Sequence, residues 1–160
     1  MKAIGYSMNG YIKELRRLVG KRALIQTGAG VIAENDRGEV LLGRRTDNRM
    51  WGYFGGSVEI DEAVEDCARR ELFEEAGIAA DELELFTVFS GPGAHYVYPN
   101  GDEVSNIDIV YLCRRWHGEP RPQPEEMKTL AFFAPCDVPK EISPPLQEVM
   151  KRYLKRRGIG

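Results

Sequence analysis

The stretch from Asp61 to Ile78 constrains this chain most, because it can be little other than a helix and yet it gathers like charges on one side of that helix. From Glu62 to Ala76 there is no glycine or proline, Asp61 stands where an N-terminal cap would, and Gly77 followed by apolar Ile78 is the expected stop. Within this helix Glu71, Glu74 and Glu75 stand at i, i+3 and i+4. At about 100° per residue they share an arc of roughly 100°. Carboxylates this close repel by a few tenths of a kcal/mol per pair on an exposed helix. No basic residue follows at i+4, where Ile78 and Ala79 lie. A bound cation would supply the missing charge. An isolated triplet of this kind would read instead as a solvated acidic face.

The chain on either side reads as alternating strands and helices. A basic N-terminal segment carries Ile12, Leu15 and Val19 at helical spacing, which predicts a helix over about 8–20. Strands are expected over 23–33 and 40–45, split by the turn Asp36-Arg37-Gly38. A glycine-rich loop, 51–57, leads to the acidic helix. Strands follow over 83–90, 96–98, 104–113 and around 130–133, with an Asn-Gly hairpin signal at Asn100-Gly101. Pro144 and Pro145 open a last helix that ends in Lys-Arg-Arg. The fold class this implies is α/β in one domain, residues 1–160.

Composition narrows the function classes. With 160 residues, 42% apolar and 29% charged, the chain has the make-up of a globular domain. Neither a membrane span nor a secretory leader is legible. Its 22 basic and 25 acidic side chains leave a net charge of -3, which disfavours nucleic acid as the main partner. Cys67, Cys113 and Cys136 are odd in number and dispersed, so three free thiols and a cytoplasmic location are expected. All-oxygen ligands without His or Cys select hard cations, Mg²⁺ or, as a substitute, Mn²⁺.

The glutamates are part of a longer pattern. Gly56, Glu62, Arg70, Glu71, Leu72, Glu74, Glu75, Gly77 and Ile78 satisfy G-x5-E-x7-R-E-U-x-E-E-x-G-U, with U a bulky aliphatic residue. Chance would produce this in far fewer than one of about 10⁶ windows at average residue frequencies. Residues 56–78 resemble the signature box of the Nudix (MutT-like) hydrolases, and the order of elements resembles that family over roughly 23–140. The resemblance implies an α/β/α sandwich with a mixed sheet. It also implies Mg²⁺-dependent cleavage of a nucleoside diphosphate linked to another moiety: a nucleotide sugar, a dinucleoside polyphosphate or a nucleoside triphosphate. Glu71, Glu74, Glu75 and the carbonyl of Gly55 would hold metal, Arg70 would orient a carboxylate, and Glu62 would tie loop to helix. Gly55 and Gly56 would let backbone approach phosphate. One departure is visible: the family loop usually reads Pro-Gly-Gly, and Phe54 replaces the proline here.

Other assignments rest on position. A carboxylate must accept the water proton, and in several members of the resembled family that base, or an extra metal ligand, comes from a loop after the box. Glu126 occupies the best-matching place, with Glu125 and Glu103 as rivals. Arg44 and Arg45 end a strand beside the loop, and Arg45 is a candidate phosphate contact, with a structural ion pair as the alternative. Trp51 is expected to pack the core. Tyr96 could flank a base, although sheet packing is the ordinary role. Family substrate rules point two ways, since Pro92 falls near an ADP-ribose position and Tyr96 at a dinucleoside-polyphosphate one. Cys67 reads as a core residue, and the basic ends as solvated helix faces. The competing functions are an RNA 5′-end pyrophosphohydrolase and a non-catalytic nucleotide-binding regulator. A homodimer is compatible with all three.

Overall fold

A computed structural model describes residues 10–160. Its first element, α1 (Gly10–Val19), ends at Gly20, whose N–H bonds Arg16 O. Positions 8 and 9 of the expected helix lie outside the described residues. The strands are β1 (Leu24–Glu34), β2 (Val40–Arg45), β3 (Trp51–Gly52), β4 (Phe54–Ser57), β5 (Ala79–Phe89), β6 (His95–Val97), β7 (Glu103–His117) and β8 (Met127–Phe133). The helices α2 (Val64–Ala76) and α3 (Gln147–Arg156) complete the fold.

All eight strands join one sheet with the path β3-β2-β1-β7-β5, while β4 pairs β1, β6 pairs β7 and β8 pairs β2. β1 and β7 run parallel from Leu24↔Val104 to Ala33↔Cys113, and the other strand pairings are antiparallel. The sheet is therefore mixed, as expected. Side-chain alternation sorts the two faces. Ala29, Val31, Leu41, Phe54 and Tyr111 face α2 through Cys67, Ala68, Leu72 and Ala76. Their neighbours Ile32, Val40, Leu42, Tyr53 and Val110 face α3 through Val149, Met150 and Tyr153. Burying one Leu-sized side chain contributes about 1.5–3 kcal/mol. Two such clusters hold a helix on each face, an α/β/α sandwich.

Several local expectations need correcting. The glycine-rich segment 51–57 is not a free loop. It forms β3 against β2 and β4 against β1, because a strand of little side-chain bulk can lie close beside the β1 backbone. Asp61 does not cap α2: it lies in the left-handed region (φ 60°), and the capping position is Ala63 without a side-chain bond. Gly77 does stop the helix, with φ 72° and its N–H on Phe73 O. The basic C-terminal end keeps Lys151, Arg152, Lys155 and Arg156 exposed, as expected, but its arginines also contact the sheet. Arg157 and Arg156 bond Glu34 and Glu84, and Arg152 lies over the Phe89 ring. Cys67, Cys113 and Cys136 are all free thiols. Among the described residues no helix is long and apolar enough to cross a membrane.

Candidate functional site

The face that α2 turns to the sheet is apolar at Cys67, Ala68, Leu72 and Ala76, but Glu71 and Glu75 lie on that same face. They are 0% and 1% exposed. Expected on a solvent arc, two of the three glutamates are in fact interior, and only Glu74 is open, with 43% of its side chain exposed. The 3.6-residue repeat places 68, 71, 72, 75 and 76 on one side, so the carboxylates follow the core residues inward.

Arg70 supplies part of the charge that no residue at i+4 provides. Its Nε and Nη2 reach the two Glu62 oxygens at 2.6 and 2.9 Å, and its Nη1 reaches Glu71 Oε1 at 2.6 Å and Glu74 Oε2 at 3.4 Å. Nη2 also donates to Ser57 O at 3.2 Å. The bidentate partner of Arg70 is thus Glu62 rather than a box ligand. Glu62 in turn accepts the Glu59 N–H at 3.0 Å, which ties the segment before α2 to the helix. These bonds leave Glu71 Oε2 and Glu75 Oε2 buried without a partner. Unpaired buried carboxylate oxygens are costly, and such a group either keeps its proton or takes a cation.

The electrostatics agree with that choice. Burial pushes the Glu71 carboxyl up to about 7, Arg70 opposes the shift, and the Glu74 and Glu126 charges add to it. Glu75 is raised well above the ordinary range by burial and by Glu71, against a lowering by Arg45. Glu126 is also raised, by burial first, with Arg45 opposing. The strand beside these acids has no side-chain bulk. A Cβ on Gly56 would overlap the Glu71 carboxylate, and one on Gly55 would lie 2.6 Å from Ala29 O.

The fold brings Glu126 to the site from the turn before β8, where its backbone N–H bonds Gln123 and its carbonyl accepts from Thr46. Of the rivals, one is held away and the other, in the same turn, faces solvent. Glu103 pairs with His95 at 2.7 Å, and Glu125 is exposed. Arg45 lies within charge range of Glu75 while its Nε and Nη2 hold Asp47, both at 3.0 Å. Arg44 turns away to Arg49 O. Trp51 packs edge-on against Phe133, as expected for the core. Tyr96 stacks edge-on with Tyr98, 4.9 Å between centroids, and it is Tyr98 that lies within charge range of Arg45. Sequence reasoning missed Asp108, a carboxyl on β7 that burial raises to about 6. The signal was available: an Asp at an inward-facing position of the apolar run Ile107 to Leu112.

Arg70 now occupies the space between Glu71 and Glu74, and among the described residues no three Asp, Glu, His or Cys side chains are arranged to hold an ion. The donor chemistry nevertheless fits a hard divalent cation. Two interior carboxylate oxygens lack any partner, and a third carboxylate is within reach on the same helix.

The comparisons with known proteins point the same way. Curated relatives include an RNA pyrophosphohydrolase of Pseudomonas putida, 39% identical over 62 residues, which are 39% of this chain and 39% of that protein. Another, from Novosphingobium aromaticivorans, is 31% identical over 106 residues, covering 64% of this chain and 60% of the relative. The matches thus span only about two to three fifths of the relatives' length. Among solved structures, a MutT NUDIX hydrolase from Burkholderia pseudomallei superposes with TM-score 0.68 at 29% identity, over 81% of this chain and 98% of that one. A MutT protein from Bacillus halodurans shares the fold with TM-score 0.62 at 24% identity, over 81% and 80%. The family model of the NUDIX domain matches residues 24–153, which take in the whole sheet, α2 and most of α3. On that match the chain belongs to the NUDIX domain family.

Proposed function

We propose that this chain is a Mg²⁺-dependent pyrophosphohydrolase that cleaves a nucleoside diphosphate linked to another moiety. The observation that carries the reading is the pair of buried, unpartnered oxygens on Glu71 and Glu75, with the Glu71 carboxylate packed directly on the bare backbone of Gly56. Glu71, Glu74, Glu75 and the Gly55 carbonyl would hold the ion. When bound, the ion supplies charge neutralisation on the diphosphate and a lowered pKa for the attacking water. Arg70 keeps Glu71 and Glu74 in place through its clamp on Glu62. Gly55 and Gly56 admit the diphosphate. Arg45, released from Asp47, binds a phosphoryl oxygen. Glu126 accepts the proton of the attacking water, a role that its raised pKa suits.

A non-catalytic regulator would need a phosphate cradle but not three carboxylates of which two are buried at a cost. The RNA 5′-end reading has one observation in its favour, the name of the curated relatives over residues of the same family. The net charge of -3 weighs against it, and a cytoplasmic small-nucleotide enzyme with three free thiols is the reading we adopt.

The test is a product screen with Mg²⁺ or Mn²⁺ over nucleoside triphosphates, dinucleoside polyphosphates, nucleotide sugars and 5′-triphosphorylated RNA. The expected result is release of a nucleoside monophosphate from at least one small substrate, abolished by Glu75→Gln. No release from any substrate overturns the reading. A kcat/KM on RNA exceeding that on every small nucleotide replaces it with the RNA reading.

A further inference from the structure

Among the described residues the Glu126 carboxylate makes no hydrogen bond and no ion pair, so it stands wherever its backbone puts it. That backbone is gripped from both sides by two residues outside the box. On one side Gln123 accepts the Glu126 N–H twice, through its side-chain Oε1 at 2.9 Å and its backbone O at 3.0 Å. The same Gln123 O accepts the Met127 N–H at 2.8 Å. On the other side Thr46 donates twice to the Glu126 carbonyl, through its N–H at 2.9 Å and its hydroxyl at 3.2 Å. The hydroxyl has one proton to give, and it shares that proton with Glu125 O at 2.8 Å.

Each of these two residues is also bonded to the rest of the site. Gln123 donates its own N–H to Glu75 O at 3.2 Å, and Arg121 donates to Ala76 O at 2.8 Å. The segment ahead of Glu126 is thereby laid along the end of α2, where the last carbonyls lack partners inside the helix. Thr46 directly follows Arg45, and Asp47 after it holds the Arg45 guanidinium at 3.0 Å. Between β2 and β8 the ladder slips by one residue. Arg44 stands opposite Thr129 and Arg45 opposite Met127, which leaves Lys128 without a partner. A bulge of this kind re-aims side chains and is common beside active sites. Met127, 1% exposed, anchors the slip in the core under α2. Thr46 itself is exposed and Gln123 half-buried, so neither side chain is needed to fill the interior.

We infer that Thr46 and Gln123 are positioning residues, a two-sided brace that sets where the Glu126 carboxylate stands relative to Glu75 and Arg45. This rests on the proton-acceptor role proposed for Glu126. A general base works only within hydrogen-bond reach of the water it deprotonates, and a misplacement of about 1 Å can cost about 10²-fold in rate. Both side chains act through the backbone of Glu126. Loss of either one slows turnover and leaves substrate binding as it was.

The experiment compares Thr46→Val, Thr46→Ser and Gln123→Leu with wild type, each alone and combined with Glu126→Gln, with melting curves confirming that the variants fold. Kinetics are read with Mg²⁺ on the small nucleotide that wild type cleaves fastest in the product screen. Thr46→Val keeps the volume and the backbone N–H and removes only the hydroxyl. It should lower kcat by about tenfold with KM within about twofold, and Thr46→Ser should return kcat to within about threefold of wild type. Gln123→Leu should match Thr46→Val. Combined with Glu126→Gln, neither change should move kcat by more than about twofold, because nothing is left to position. An equal loss with and without Glu126→Gln overturns the inference, as does a loss in Thr46→Val that Thr46→Ser fails to restore. Amide hydrogen exchange needs no turnover, which separates the two readings. Residues 123–127 should exchange faster in Thr46→Val and Gln123→Leu than in wild type, and unchanged exchange overturns the inference. Faster exchange with no anhydride cleaved by wild type sinks only the proposed reaction. Cleavage by wild type with kcat unchanged in both variants sinks only this inference.

Discussion

The two faces of the sheet each bury a carboxylate, and they treat it in opposite ways. On the α3 face, Glu34 is 4% exposed and fully engaged: Arg157 and the Tyr153 hydroxyl bond Oε1 at 2.7 and 2.8 Å, and Arg114 bonds Oε2 at 3.0 Å. On the α2 face, Glu71 and Glu75 are as deeply buried, but each keeps an oxygen without a partner. A buried acid that is satisfied within the chain serves the fold. One that is left unsatisfied carries a standing cost, which a ligand from outside can remove. Glu34 pins a helix; Glu71 and Glu75 are the pair we propose to hold a cation.

The contrast can be broken most sharply at Glu75. Glu75→Gln should lower kcat by about 10²- to 10³-fold, the scale on which loss of one electrostatic stabiliser acts. The metal-free melting temperature should hold or rise, since the amide removes a buried charge. A lower melting temperature with activity retained would make Glu75 a second Glu34. Next in size, Glu126→Gln should lower kcat by about 10²-fold, the worth of a general base, with metal affinity reduced much less. Wild-type turnover across the pH range would remove Glu126 from that role. If instead metal affinity falls along with kcat, Glu126 is a further ligand.

Glu34→Gln tests the other face and should leave kcat alone. Removing one partner of a buried pair costs about 3–5 kcal/mol. Arg114 and Arg157 keep 48% and 28% side-chain exposure, so water takes over part of their bonding. A loss of about 1–3 kcal/mol by urea denaturation is expected. A kcat that falls in step would join the two faces into one functional unit.

The smallest effect sharpens the comparison through pH. The folded Glu71 carboxyl lies at about 7 against an ordinary 4.5, so the folded state holds this proton longer than the unfolded chain. Its contribution to stability is present at low pH and is lost as pH rises through about 7. Metal-free protein should therefore melt lower at pH 8 than at pH 5. Millimolar Mg²⁺ should narrow the gap, because a ligand that binds only the folded state stabilises it by about 2.7 kcal/mol at a hundred times its Kd. Asp108, raised to about 6, adds a term of the same sign, and Glu71→Gln separates the two. A gap unchanged in Glu71→Gln would show that Glu71 is not the source.

The box helix, its glycine stop, the Asn-Gly turn and β2 were legible because each is specified by neighbours in the chain: spacing, a left-handed glycine, alternation. The strand character of residues 51–57 was not, since glycines carry no periodicity and only the partners β1 and β2 make a strand of them. Glu126 could be nominated from its place before a late strand, yet nothing local separated it from Glu103. The β2–β8 pairing puts the turn holding Glu126 beside Thr46, and the β6–β7 hairpin carries Glu103 off to His95.

By itself, the sequence determined which chemical groups stand together on one side of the box helix. Three glutamates at i, i+3 and i+4, an arginine before them and a glycine pair upstream are covalent facts, and helical geometry alone groups the acids. Only the tertiary structure decided that two of those acids are interior, that Arg70 spends its bidentate grip on Glu62, and that Asp108 stands alone across from a glycine. Burial and long-range pairing depend on which surfaces meet, and those meetings join residues dozens of positions apart. A carboxylate's solvation is therefore set by packing, while its presence on one side of a helix is set by spacing.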